Sequence, residues 1–316
     1  MVATHVSQAT STDDQPIGGG VVVGVDARGR SVSALVWAVG EAERDRRPLT
    51  LVCARSADAG GRDTTGPHDL GTLARRLTLS GVETRDEVGD PVEVLLRVSA
   101  QADLLTVGCR AMRPARRMVV GSTSRAVARW SVVPVVVVPE TWMQPSLATS
   151  PVVAGVPPVL HEDPDGPDPD HEVLDFAFAR AAAMKVPLVV VSARPLAIVH
   201  DWPAEDEARV SSSHDDRLRE RLDRWRDAYP QVEVVTRCVA GRADQALLDA
   251  AQVGQLVVVG RHHAATLAGH LGRTAGGVLH RSTRPVAVVP SGSRDHLLHD
   301  LAARRTPTET LWGPTF

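Results

Sequence analysis

The chain carries two copies of one pattern, and that repetition limits the fold more than any single residue does. Residues 89–108 read GDPVEVLLRVSAQADLLTVG and residues 241–260 read GRADQALLDAAQVGQLVVVG, a constant offset of 152. Each copy ends in an apolar run that stops at a glycine, Gly108 or Gly260. A polar loop follows, then a second glycine (Gly121, Gly272), a helical stretch and a valine-rich run closed by proline. The closing runs, PVVVVP at 134–139 and PVAVVP at 285–290, lie 151 apart. Internal similarity on this scale implies two comparable α/β units in tandem. A candidate residue in one unit therefore has a counterpart in the other.

The first unit opens on GVVVGVD at 20–26, an apolar run without alternation, as expected of a strand covered on both faces of a parallel sheet. Helix periodicity follows over 31–46, with Ala34, Leu35, Ala38 and Ala42 on one stripe. Strands are expected at 49–54, 82–88, 104–107 and 135–138, a loop at 60–66, and helices at 70–79, at 91–100 behind Pro91, and after Gly121. The second unit repeats the order, with strands near 152–156, 188–192, 232–239, 256–259 and 286–289 and helices near 171–184, 213–228, 243–252 and 273–281. Alternating strands and helices predict two doubly wound, mostly parallel five-stranded sheets. The units span 17–140 and 151–291, with 1–16 and 292–316 expected to be disordered.

Composition narrows the function. With 35 basic and 38 acidic residues the formal charge is −3, and one Tyr and three Phe leave little to stack on bases, so nucleic acid is not an expected partner. The three cysteines lack metal or CxxC spacing, which suits a reducing compartment. No stretch approaches the roughly 20 apolar residues that cross a bilayer, and residues 1–16 lack the pattern of a secretory signal. A cytoplasmic location without membrane contact is the expectation.

In an open parallel sheet, ligands lie beyond the carboxyl ends of the strands where strand order reverses. Asp26, Cys53–Ala54 and the segment 108–124, GCRAMRPARRMVVGSTS, converge there. Gly121 opens a helix whose first residues, Ser122, Thr123 and Ser124, bring hydroxyls and unpaired N–H groups to its positive end, an anion site. Arg110, Arg113, Arg116 and Arg117 crowd the same loop. These parts describe a phosphate cradle, with Asp26 as acceptor for a nucleoside's polar edge.

An Asp closing strand one, followed after strand four by a glycine-spaced loop ending Gly-Ser, resembles the universal stress protein family in its tandem form, across about 20–140 and 151–291. The resemblance implies a Rossmann/flavodoxin-like fold, akin to adenine nucleotide alpha hydrolases, and an intramolecular pseudo-dimer in which the closing strands meet. Association of two whole chains into a homodimer stays open. It also implies ATP, AMP or ADP held without a Walker lysine, any Mg²⁺ arriving with the nucleotide. By position, Asp26 and backbone near Ala54 would hold adenosine, and Gly108, Ala111, Gly121, Ser122 and Ser124 would form the phosphate loop. The family's pattern has glycine where this chain has Ala111, a cost of about 1–2 kcal/mol if the bound loop needs a left-handed residue there. The second unit departs further: Pro157 replaces the aspartate, His263 the second glycine, and Arg273 the serine. It reads as a partner that has lost the nucleotide.

Other readings compete. Asp26 also suits an ordinary polar strand end, and the arginines a solvated loop. His262, His263, His270 and His280 lack companion ligands at metal spacing. The acidic run 161–171 puts Gly166 and Leu174 where a calcium loop needs other residues. Cys109, beside Arg110, is either a redox-sensitive thiol or an inert buried one. Three functions follow: a stress-response protein acting through nucleotide-dependent conformation or partner binding, a nucleotide-independent scaffold, and a slow ATPase lacking an assignable base.

Overall fold

Runs of valine bounded by glycine and proline form strands wherever both faces are covered by helices. The computed structural model describes residues 19–26, 31–55, 81–112, 117–119, 121–144, 149–158, 170–194, 204–261 and 271–292. In the first half these are β1 (Val21–Gly24), α1 (Val32–Asp45), β2 (Leu49–Arg55), β3 (Val82–Val88), α2 (Pro91–Ser99), β4 (Leu104–Met112), β5 (Arg117–Val119), α3 (Ser122–Trp130) and β6 (Val135–Pro139). The second half contributes β7 (Val152–Val156), α4 (His171–Met184), β8 (Leu188–Arg194), α5 (Ala204–Ala228) and β9 (Val234–Ala240). It ends with α6 (Ala243–Ala251), β10 (Leu256–Gly260), α7 (Arg273–Arg281) and β11 (Val286–Val289). The expected loop at 60–66 and helix at 70–79 lie outside the described residues, as do 1–16 and 293–316.

The strands join into one sheet in the order β3-β2-β1-β4-β6-β11-β10-β7-β8-β9, with β5 attached to β4 alone. The two expected five-stranded sheets are thus joined edge to edge at the closing strands. β6 and β11 pair antiparallel, Val286 with Val137 and Val288 with Val135, while the other neighbours along the path run parallel. Both strands are buried along their length, so an unpaired edge here would expose a flat apolar ribbon. A correction concerns β4. It runs past Gly108 to Met112 and returns as β5, pairing Arg110 with Val119 and Ala111 with Met118. The segment read as a loop is therefore partly a hairpin.

Side chains alternate between the sheet's two faces. Val21 and Val23 join α1, α4 and α5 in one core, whereas Val22 joins α2, α3, α6 and α7 in the other. Each core contains residues of both halves, so neither half packs alone. Repetition reaches the backbone: α1 ends at Arg46 (φ 52°) and α4 at Lys185 (φ 55°), both left-handed caps. Gly24 and its counterpart Gly155 are needed for contact, since a Cβ would come within 3.0 Å of Leu95 and 2.7 Å of Leu247.

Where α1 crosses to α4, Glu41 is 1% exposed and pairs with Arg44 at 3.0 Å and with Arg180, which also holds Asp45 at 2.8 Å. A second buried polar group sits under α5. His214 lies 3.0 Å from the Ser192 hydroxyl, and burial, reinforced by Arg194 and Arg217 against Asp215, lowers its pKa from the ordinary 6.5. The unfolded chain therefore takes up the His214 proton first as pH falls. Stability is expected to be full above pH 6.5, to fall from there through the lower folded value, and then to level. Urea titrations at pH 8 and pH 5 check this; a His214→Gln variant with the same pH loss as the parent would refute it.

Candidate functional site

Strand order reverses between β1 and β4, because β1 connects through α1 to β2 on one side while α2 delivers the chain to β4 on the other. A crevice forms at that point beyond the carboxyl ends. It holds a cavity of about 690 Å³ whose floor is Gly24, Val52, Leu95 and Val107. Six sequence-predicted residues line it: Asp26, Ala54, Gly108, Gly121, Ser122 and Ser124. The seventh, Ala111, is placed by its backbone in the β4–β5 ladder opposite Met118. That extended conformation costs alanine nothing, so the left-handed penalty does not arise in this state.

Two hydrogen bonds set the walls. The Asp26 N–H donates to the Ser31 hydroxyl at 3.1 Å, tying the end of β1 to the start of α1. The Ser124 hydroxyl donates to the Gly108 carbonyl at 2.7 Å, pinning the first turn of α3 to β4. Ser124 thus spends its hydroxyl on positioning, and what it can offer a ligand is its backbone N–H. α3 has Gly121 as N-cap, no side-chain cap and no acidic residue in its first turn. Its first N–H groups consequently present an uncompensated positive end.

Gly121 is not required by the backbone, for its φ of −57° suits any residue. A Cβ there would meet nothing within 4 Å. The missing side chain leaves space at the helix start, the kind of room a tetrahedral anion needs. Arg110 lines the same end and is exposed. Arg113 and Arg116 lie outside the described residues, and Arg117 falls in β5. Burial, then Glu140, pushes the Cys109 thiol up to about 12, so it is no thiolate at neutral pH and the redox reading loses its basis.

The sequence reading did not single out Ser31, Pro91, Leu95 or Val107 as lining residues. Pro91 and Leu95 had a usable signal, since a helix that enters at proline beside the switch point must present one apolar face to the crevice. Ser31 had none, because a serine before a helix reads alike whether or not its hydroxyl meets the Asp26 N–H.

The second half replaces this chemistry. Pro157 follows β7 where Asp26 follows β1. Asp244, buried on α6, occupies the position of Val92 and is held by Arg242 at 2.9 Å and Arg281 at 2.5 Å. Arg261, the counterpart of Cys109, is buried and donates to the carbonyls of Arg129 at 3.0 Å and Ser131 at 2.5 Å, closing the far end of α3. His262, His263 and His270 lie outside the described residues, among which no cluster that could hold a metal ion occurs. Nor is any helix there long and apolar enough to cross a membrane.

Comparison with known proteins gives the same architecture. The universal stress protein Rv2005c of Mycobacterium tuberculosis is 28% identical over 291 residues, covering 85% of this chain and 96% of that protein. The crystal structure of a universal stress protein from Archaeoglobus fulgidus superposes with a TM-score of 0.63 at 17% identity, covering 86% of this chain and 98% of that one. A universal stress protein crystallised in complex with cAMP is 27% identical over 46% of this chain and all of its own, with a TM-score of 0.35. Residues 20–139 and 164–290 both match the model of the universal stress protein family, and with most of the sequence so matched, the chain belongs to that family.

Proposed function

We propose that this is a cytoplasmic stress-response protein that binds one adenine nucleotide, ATP, ADP or AMP, in the cleft of its first half. It acts through nucleotide-dependent conformation or partner binding. In this reading 17–140 forms the binding unit and 151–291 the unit that braces it as an intramolecular pseudo-dimer.

One observation carries the reading: the cavity has an acceptor, Asp26, together with the open amide end of α3 at Gly121–Ser124. An apolar floor with a few converging polar groups, in a volume of this size, is what a small-molecule site requires. A nucleotide fits that donor set, with phosphates on the α3 amides beside Arg110 and the nucleoside against Ala54 and Asp26. No pair of carboxylates lines the cavity among the described residues, so Mg²⁺ would enter with the phosphates. Its described lining contains no histidine and no nucleophile–base pair, which argues for holding the ligand over turning it over. The scaffold reading draws on Pro157 and on the shared cores, which need no ligand to assemble.

Calorimetric titration of ATP into the purified chain tests this. Heat with a stoichiometry near one is expected, lost in Asp26→Ala and kept in Pro157→Ala. A stoichiometry of two would contradict the assignment to the first half, and no heat at millimolar ATP would favour the scaffold.

A further inference from the structure

Two walls of the first-half cleft are held from the second half. α3 supplies one wall through its first turn, and its other end is closed by Arg261, just past β10. That guanidinium is 3% exposed and donates to the Arg129 carbonyl at 3.0 Å and the Ser131 carbonyl at 2.5 Å. β4 supplies the facing wall at Gly108–Arg110 and continues into the hairpin with β5. β5 lies against α7, an element of the second half. The hydrogen bond from Ser124 to Gly108, 2.7 Å, ties the two walls together.

Arg261 carries a cost that an apolar spacer would not. A buried guanidinium loses its hydration, and a hydrophobic side chain could occupy the same space without that loss. What the cation adds is specific to the end of a helix. The carbonyls of Arg129 and Ser131 belong to the last turn of α3 and its cap, the negative end of the helix dipole. A positive charge there neutralises that end and leaves the positive end, at Gly121–Ser124, unopposed. It also fixes the helix axis, since two carbonyls meet one planar fork. The arrangement is one-sided. At the matching position of the first half stands Cys109, a buried neutral thiol with one weak donor, so α7 receives no such charge from it.

We infer that Arg261 is a positioning residue for the first-half site, holding the phosphate-binding end of α3 in place from the second half. This rests on the nucleotide reading and extends it. The second half, with Pro157 in place of an aspartate, sets the affinity of the first half for phosphates. It acts through the nine residues of α3, and so on the phosphates at Gly121–Ser124. The nucleoside, against Asp26 and Ala54 on β1 and β2, lies outside its reach.

Calorimetric titrations of ATP and of adenosine into the full chain and its variants test this. Arg261→Met is expected to weaken ATP binding about 10-fold, within the usual range of coupling between sites, and adenosine binding less than about 2-fold. Arg261→Gln, with a donor but no charge, should show the same split. Arg261→Lys, which keeps the charge, should recover most of the ATP affinity. Glu41→Ala, which loses stability away from this site, should bind ATP as the parent does. Parental ATP affinity in the methionine and glutamine variants, or equal losses for ATP and adenosine, would overturn the inference and leave the nucleotide reading standing. So would a loss that Glu41→Ala matches or that Arg261→Lys fails to recover. A parent chain that takes up neither ligand would overturn both.

Discussion

Glu41→Ala should lower folding stability by about 3 kcal/mol. The carboxylate is 1% exposed and lies between the Arg44 and Arg180 guanidinium groups, the second of them on the other half and 12% exposed. Burial already lowers the Arg180 pKa, a sign that its charge is held at a cost. Deleting Glu41 leaves that cation paired with Asp45 at 2.8 Å as its one remaining carboxylate partner among the described residues. The surviving pair keeps the loss at the low end of the roughly 3–5 kcal/mol seen when a buried pair is broken. Replacing both partners, Glu41→Leu with Arg180→Met, should recover most of it, because neither buried charge then needs an opposite. Urea midpoints at pH 7 with an unchanged denaturant slope measure these differences. A loss under about 1 kcal/mol for Glu41→Ala would place the cluster among ordinary surface pairs.

Ser122→Asp is expected to move stability and nucleotide affinity in opposite directions. Ser122 is exposed in the first turn of α3, where no acidic residue stands. A carboxylate there complements the helix dipole and should add about 0.3–1 kcal/mol to folding. The same charge faces incoming phosphates, and at about 4 Å with an effective dielectric near 20 the repulsion is about 4 kcal/mol per charge pair. ATP affinity should fall by roughly three orders of magnitude. Thermal melts and calorimetry on one preparation read both effects. An unchanged affinity in a stabilised variant would show that phosphates do not sit at the start of α3.

Much of this was legible in the residues. The repeats at 89–108 and 241–260 announced α2–β4 and α6–β10, and α4, α7, β7 and β11 fall at the bounds that periodicity and glycine–proline punctuation indicate. Asp26, Gly108 and Gly121 could be grouped because parallel topology brings strand ends together whatever the loops between them do. The hairpin of β4 and β5 was hidden. An apolar run ends at Gly108, and the ladder beyond it is held by backbone pairing that polar residues satisfy equally well. The commitment of Ser124 to Gly108 was also invisible, since a hydroxyl at a helix start reads alike whether it faces ligand or strand. So was Arg261, whose partners are carbonyls some 130 residues away that no local pattern encodes.

The antiparallel pairing of β6 with β11 has one more implication. If identical polypeptides met along such a line, any substitution would strike both clefts at once, and losing the acceptor in one would mean losing it in both. Carried on a single polypeptide, the two sides answer to different codons. Proline can stand at 157 while aspartate stands at 26, and arginine can stand at 261 opposite cysteine at 109. Covalent tandem linkage thus lets a symmetric scaffold support an asymmetric division of labour.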